Sequence, residues 1–420
     1  MIRIKNIKTE IKENIDVYEL ASKKLKVSKE RIKKVIIHKK AIDARSKHMF
    51  SYVFDLDVQI DNENSFLKEN IIKVENEEYV MPFMGNETLN KRPIVIGAGP
   101  AGLFCTFFLA KNGYKPVLFE RGEKIEQRIK TVEDLWQNNN FVSNSNVQFG
   151  EGGAGTFSDG KLNTLVKDKA GRMREVFKIF VECGAPEEIM YDSKPHIGTD
   201  ILRKVVINLR EKIISMGGEI HYNSCMEDII VENNKIKSVI VSGKCIDTDV
   251  LVLAIGHSAR DTFKMLNNKK IYMEAKPFAV GIRIIHPQKM INENQYPINY
   301  PFLPSASYKL TYKSKSGRGV YSFCMCPGGY VVNSRSTIDG ICVNGMSNYK
   351  RDSGFANSAI VVTVLPDDYG NNPLDGISFQ ECLEQKAYNI GNGVIPIQRY
   401  VDYKNNILSE SIDIDAFKGK

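Results

Sequence analysis

The sequence predicts an α/β protein: a parallel-sheet core, a small βαββ unit before it and an antiparallel sheet after it. Three observations carry this. Residues 93–122 run strand, glycine-rich turn, helix, strand. Residues 50–60 alternate apolar and mostly polar side chains over eleven positions. From Phe278 onward, short apolar runs separated by turns replace the helix–strand alternation.

The first observation is the most specific. Pro93 to Ile96 leads into Gly97-Ala98-Gly99-Pro100-Ala101-Gly102, then an apolar helix from Leu103 to Ala110 stopped by Asn112-Gly113. A second apolar run, Pro116 to Phe119, ends in Glu120-Arg121-Gly122. Gly97 makes a tight turn, Gly99 lets a pyrophosphate approach the backbone, and Gly102 lets the helix pack closely on its strand. The helix start offers free N–H groups and a partial positive charge. Glu120, 23 residues past Gly97, stands where a carboxylate takes a ribose 2′-hydroxyl. Together these residues specify a dinucleotide site, which an ordinary glycine turn in an α/β unit does not explain.

Length and composition bound the rest. A chain of 420 residues, 42% hydrophobic and 26% charged, builds two or three domains. No apolar run approaches the ~20 residues of a membrane span. The N-terminus lacks the apolar segment of a secretory signal. Eight scattered cysteines without a zinc-type pair read as reduced thiols, and the expected location is cytoplasmic. The net charge of +8 is uneven: residues 1–50 hold 15 Lys and Arg against 6 Asp and Glu, and the other 370 hold 43 against 44. Any nucleic-acid attraction belongs to that first stretch, although a solvated basic face is the commoner meaning.

In chain order, Ile2 and Ile4, a helix with Val17, Leu20, Ala21 and Leu25 on one face, a short helix capped by Ser28, a strand at Val35–Ile37 and the alternating strand 50–60 form the βαββ unit. Residues 61–90 read as a linker with a short ordered piece. Residues 123–147 are polar and partly helical, with Val132, Leu135 and Trp136 on one face. Residues 148–162 carry five glycines between 150 and 160, which suits a loop lying flat against a ligand, anchored by Phe149, Phe157 and Leu162. Helices follow at Arg172–Val181 and from Thr199-Asp200 to Gly217. Then come a strand at Glu219–Tyr222 and a hairpin around Asn233-Asn234. Val250–Ile255 reads as a parallel strand buried on both faces and ending at Gly256. Expected domain limits are 1–85, 91–265, 266–400 and a tail at 401–420, with a helix near Phe379–Tyr388.

The motifs Gly97–Gly102, Glu120-Arg121-Gly122, Asn146-Val147-Gln148-Phe149-Gly150-Glu151-Gly152-Gly153, Lys194–Asp200, Ala254–Asp261, Lys276–Ala279 and Tyr321–Gly329 together resemble the bacterial FAD-dependent dehydrogenases classed as NAD(P)/FAD-dependent oxidoreductases. The resemblance covers almost the whole chain. It implies FAD, a glutathione-reductase-type Rossmann core with an inserted antiparallel β substrate domain, and a half-ferredoxin-like N-terminal unit. It implies no particular substrate. The expected cofactor-binding set is Gly97, Gly99, Pro100, Ala101, Gly102, Glu120, Arg121, Arg128, Gly152, Gly153, Met226 and Gly256. Such flavoproteins finish with a further strand, a Gly-acid turn and a helix. No such stretch follows Tyr400, so the expectation is a shortened chain with weakened FAD affinity.

Flavin would supply the redox chemistry, so the other candidates are residues that face its ring or the substrate. His257 follows the buried strand and could donate to the cofactor. Cys324 and Cys326 share a spacing that puts both on one strand face, as a redox dithiol or as two small buried residues. Lys276 and Arg283 could hold an anionic substrate or reduced flavin. No second GxGxxG exists, so NAD(P)H would serve only as a transient donor to a flavoprotein acting on a small molecule. The alternatives are an RNA-directed flavoprotein using residues 1–50 and a module in which FAD is structural.

Overall fold

A computed structural model describes residues 1–46, 49–75, 78–83, 85–163, 166–296, 302–412 and 415–419. The chain divides into two compact units, each assembled from separated stretches: residues 1–85, 161–197 and 287–307, and residues 86–160, 198–286 and 308–420.

In the first unit the alternating strand of the sequence is the pillar. Strand Ser51–Ile60 lies between Ile32–Asp43 and Ile2–Glu10, antiparallel to both. Tyr52, Phe54, Leu56, Val58 and Ile60 are all buried, because every second residue of a strand meets the same face. Ala21 and Leu25 of helix Val17–Leu25 close the core over Ile2 and Ile4. The first and second strands run in the same direction with the third between them, a split βαβ arrangement. The ordered piece expected in the linker is strand Ile71–Lys73, which pairs with Ile2–Ile4 as a fourth strand. Ser28 occupies an N-cap position, but its hydroxyl makes no capping bond and only the 3₁₀ turn Lys29–Arg31 follows. Several basic residues of this stretch are paired on the surface, among them Lys8 with Asp43, Lys23 with Glu19, Lys29 with Asp16 and Lys33 with Asp61.

The second unit is built on a parallel sheet ordered Leu251–Leu253, Ile94–Ile96, Val117–Phe119, Glu219–His221. The chain winds away from Ile94–Ile96 on one side and returns on the other, so a topological switch point falls at the end of that strand. A meander of Met226–Glu232, Lys235–Val241 and Lys244–Asp247 makes the return, turning through Asn233 and Asn234 at φ 52° and 59°. Its Met226, Ile229, Val239 and Val241 pack on Ile94, Ile96, Val117 and Phe119. Strand Leu251–Leu253 corrects an expectation. It is the sheet edge, and Val250 and Leu253 are 38% and 39% exposed, not buried on both faces. An apolar run gives hydrophobicity but not position in the sheet.

Helices Pro100–Lys111 and Thr199–Ser215 pack on each other. The second begins after Gly198, and its Thr199 and Asp200 do not cap it. Thr199 Oγ1 instead donates to the Thr156 carbonyl at 2.6 Å, and Asp200 accepts from the Tyr349 amide at 2.8 Å. A sheet ordered Phe278–Pro287, Phe355–Val364, Gly319–Cys326 and Thr311–Lys313 follows, its last three strands paired antiparallel. A smaller sheet joins Val343–Ser347, Gly329–Asn333 and Phe417–Lys418. Val332 and Met346 of this smaller sheet pack with Val132, Leu135 and Trp136 of helix Ile125–Asn138 and with Val147 and Phe157.

Candidate functional site

The switch point is where the glycines are used. Gly97 has φ +100°, and a Cβ there would lie 2.5 Å from the Ala254 carbonyl oxygen. A Cβ on Gly102 would lie 1.8 Å from the Gly97 carbonyl oxygen, so the helix seats against the turn only with glycine. Gly99 is different. Its backbone is ordinary, φ −71° and ψ 179°, and nothing lies within 4 Å of a Cβ there. Neither strain nor packing asks for that glycine, and the space in front of its backbone is open. Pro100 and Ala101 begin helix Pro100–Lys111, and no side chain caps it, so its leading amides lack the usual side-chain partner.

Glu120 ends the next strand and is 5% exposed. One carboxylate oxygen accepts from the Ala98 amide at 2.6 Å; the other accepts from the Gly122 amide at 2.9 Å and the Gly150 amide at 3.0 Å. The carboxylate therefore ties the glycine turn, its own strand end and the second glycine loop together. It also lines a pocket of about 30 Å³ with Gly97, Arg121, Phe149, Met226 and Thr262. Four residues expected in the cofactor set, Gly97, Glu120, Arg121 and Met226, thus converge on one cavity. Arg121 lies over the Phe149 ring at 4.6 Å and reaches Asp261 Oδ2 at 2.7 Å.

The second glycine loop comes to the same place. The Gly152 amide donates to the Ala98 carbonyl at 2.8 Å, and a Cβ on Gly153 would lie 3.0 Å from Gly99 Cα. Phe149 and Phe157 are buried and anchor the loop, whereas Leu162 belongs to the other compact unit. The 3₁₀ turn Gly153–Phe157 gives part of the loop regular structure. Arg128 is fully buried and spends its guanidinium on the loop itself. It donates to the carbonyls of Asn146 at 2.9 Å, Val147 at 3.0 Å, Glu151 at 2.6 Å and Gly153 at 2.9 Å. Burial draws its pKa down to about 10, so it stays charged at neutral pH. Placed among the expected cofactor contacts, Arg128 holds the loop that would touch the cofactor.

Sequence reasoning did not single out four residues of this scaffold. Glu151 is fully buried and accepts from the Ile125 amide at 2.8 Å, Arg210 Nη1 at 2.8 Å and Tyr222 Oη at 2.5 Å. Burial pushes the Glu151 carboxyl and the Tyr222 phenol upward. Gln148 bridges Ser334 and Ser258, donating to the carbonyl of the first at 3.1 Å and accepting from the hydroxyl of the second at 3.3 Å. A charged residue inside a glycine run, as Glu151 is, was the one local signal.

The remaining candidates separate. Gly256, at φ +69°, and the exposed His257 stand at the end of the edge strand, with His257 Nε2 3.4 Å from Ser258 Oγ. Lys276 is 77% exposed, 3.7 Å from Glu274. Arg283 lies half-buried in strand Phe278–Pro287, bonded to Asn357 and Asn344. The cysteine expectation is corrected: Cys324 is exposed and Cys326 buried, because a bulge between Phe323 and Cys326 places Cys324 at φ 44°. The two-residue period fails where an extra residue enters the strand.

The site and sheet define a Rossmann-type dinucleotide-binding protein with a flavoprotein architecture. A family model described as "NAD(P)-binding Rossmann-like domain" matches residues 95–159, and one described as "FAD-dependent protein, C-terminal domain-like" matches residues 277–417. A domain of unknown function matches residues 1–59. A protein of Clostridium beijerinckii, described as uncharacterized, is 46% identical over 422 residues, covering 98% of this chain and 79% of that protein. The chain belongs to the same family as that protein, one of FAD-dependent proteins with an NAD(P)-binding Rossmann-like domain. Likenesses to solved structures are faint. The halogenase PltM in complex with FAD is 11% identical with TM-score 0.36, over 70% of this chain and 56% of that one. The THI4 protein of Thermovibrio ammonificans is 16% identical with TM-score 0.28, over 44% and 64%. L-amino acid deaminase of Proteus vulgaris is 14% identical with TM-score 0.26, over 49% and 56%. The chain spans less than two thirds of the length of each. Among the described residues no helix is long and apolar enough to cross a membrane.

Proposed function

We propose that this chain binds FAD across the Gly97–Gly102 turn and uses it to exchange electrons with a small-molecule substrate. The observation that carries this is the open backbone at Gly99 beside the uncapped helix start, with the Glu120 carboxylate lining the adjacent pocket. The Ala101 and Gly102 amides would hold the pyrophosphate. Glu120, which already accepts three amides, has one lone pair left, on the oxygen bonded to Ala98, for a ribose hydroxyl. Gly152 and Gly153 lay their backbone beside that turn. The pocket, about 30 Å³, is far smaller than an adenosine. On this reading, admission of the nucleoside would require Arg121, which lies over Phe149 and is paired with the exposed Asp261, to swing aside. The bound flavin supplies hydride or single-electron chemistry. The protein's own part is to fix the phosphates and ribose and to shape the neighbouring surface, His257 and Gly256 included. NADH or NADPH would act as a visiting donor.

Purified full-length protein incubated with FAD and desalted should retain flavin near equimolar stoichiometry, and NADH or NADPH should bleach it under anaerobic conditions. Flavin lost completely on desalting would refute the reading.

A further inference from the structure

The sheet of Phe278–Pro287 holds a cation without an anion. Arg283 Nη1 donates to Asn357 Oδ1 at 2.6 Å and to the Cys324 carbonyl at 3.4 Å; Nη2 donates to Asn344 Oδ1 at 3.2 Å. Among the described residues, no carboxylate lies within ion-pairing distance of it. Other arginines of this chain show what a structural role looks like. Arg3 is paired bidentately with Asp57, and Arg260 with Glu384. Arg128 has no acid, but its donors end on four carbonyls.

Arg283 is unlike these. Its Nε is buried without an acceptor, as are those of Arg203 and Arg335, but each of those two lies over a phenylalanine ring. Asn357 is 0% exposed; with Oδ1 committed to Arg283, its Nδ2 is also buried without an acceptor. The cluster is therefore rich in donors, short of acceptors and positively charged, a combination that folding alone disfavours. It is also closely built. A Cβ on Gly345 would lie 2.5 Å from Arg283 Nη1 and 2.5 Å from Asn357 Oδ1, so only glycine lets the three approach.

Its place in the fold links it to the candidate flavin site. Strand Val343–Ser347 carries Asn344 and Gly345. The next residue, Met346, packs with Val147 and Phe157 at the flanks of the second glycine loop. Ser347 Oγ donates to Asp159 Oδ1 at 2.5 Å. One short strand thus ties the arginine cluster to the loop that lies against Gly99.

We propose that Arg283, presented by Asn344 and Asn357, recognises a carboxylate on the molecule that exchanges electrons with the flavin. This rests on the flavin reading above. A planar carboxylate supplies two oxygens and several lone pairs, matching a guanidinium edge and a neighbouring amide donor, and it brings the missing negative charge.

The test uses the full chain, with melting temperature read against benzoate, its uncharged analogue benzamide, and inorganic phosphate. Two variants are compared with the wild type. Arg283→Met removes the cation. Asn357→Asp keeps it and places an internal carboxylate at the 2.6 Å contact. Benzoate should raise the wild-type melting temperature saturably, benzamide should not, and phosphate should act more weakly. Both variants should lose at least about tenfold in apparent benzoate affinity, and Asn357→Asp should melt no lower than wild type. No benzoate shift, a shift retained in both variants, or a phosphate effect equal to benzoate would overturn the proposal. Flavin content is read on the same samples. Retained flavin without a benzoate effect sinks only the carboxylate site, whereas a wild type that holds no flavin sinks the cofactor reading.

Discussion

Arg128→Met is the perturbation with the largest calculable consequence. The side chain is of similar length and apolar, so it keeps much of the packing, including the stem that passes beneath Gly150, where a Cβ would lie 2.4 Å from Arg128 Cδ. What it removes is four hydrogen bonds to the carbonyls of Asn146, Val147, Glu151 and Gly153, all from a donor that is 0% exposed. A buried acceptor left unpaired costs about 1–3 kcal/mol, and removing one side of a buried charged network costs about 3–5 kcal/mol. Four acceptors at the low end, partly offset by relief from burying a charge, give a loss of about 3–4 kcal/mol. For a unit of this size that lowers the melting temperature by roughly 6–15 °C. Differential scanning fluorimetry and urea titration of the protein without flavin would measure it, and limited proteolysis would show new cleavage between residues 146 and 153. Arg128→Lys should fall between, because one ammonium cannot reach four carbonyls. A methionine variant melting within about 2 °C of wild type, with the loop still protected, would refute the reasoning.

Two further perturbations act elsewhere. Glu120→Gln turns one oxygen into a donor facing a backbone N–H, so it should destabilise the flavin-free protein by about 2–3 kcal/mol and weaken FAD binding about tenfold, read by urea melts and fluorescence titration. Asp368 is held from its ordinary 3.8 down to about 2 by its bond to Arg318 and by the Leu365 amide. A depressed acid contributes stability above its unfolded pKa and loses it as pH falls through the folded one. Asp368→Asn should therefore flatten the acid-side fall in melting temperature between about pH 4 and 2. An unchanged slope would count against that pair.

The parts of this chain that were legible in the sequence are those in which a residue type has one conformational meaning. Gly97 and Gly102 had to be glycine to let backbone meet backbone, and the turn, helix and strand around them follow from that. Tyr52 to Ile60 announced a half-buried strand because their period admits no other element. Readings failed where position depends on distant partners. Nothing in Val250–Ile255 tells that its sheet ends there, and nothing in Tyr321–Cys326 tells that a bulge splits the two thiols. Arg128 is expected among the cofactor contacts, and nothing near it in sequence tells that the loop carbonyls from 146 to 153 fold around it instead. The same holds for Arg283, whose meaning comes from Asn344, Gly345 and Asn357, between 61 and 74 residues away in the chain.

Gly99→Leu tests the central claim most directly. The backbone at Gly99 suits any residue, and nothing lies within 4 Å of its Cβ, so the leucine side chain enters open space in front of the helix start. Fluorescence titration of the deflavinated protein with FAD is the measurement, with melting temperature as the control for folding. The account predicts saturation near one FAD per chain for wild type. For the variant it predicts a melting temperature within about 2 °C of wild type and an FAD affinity at least about a hundredfold weaker. A Gly99→Leu protein that binds FAD as tightly as wild type would contradict it.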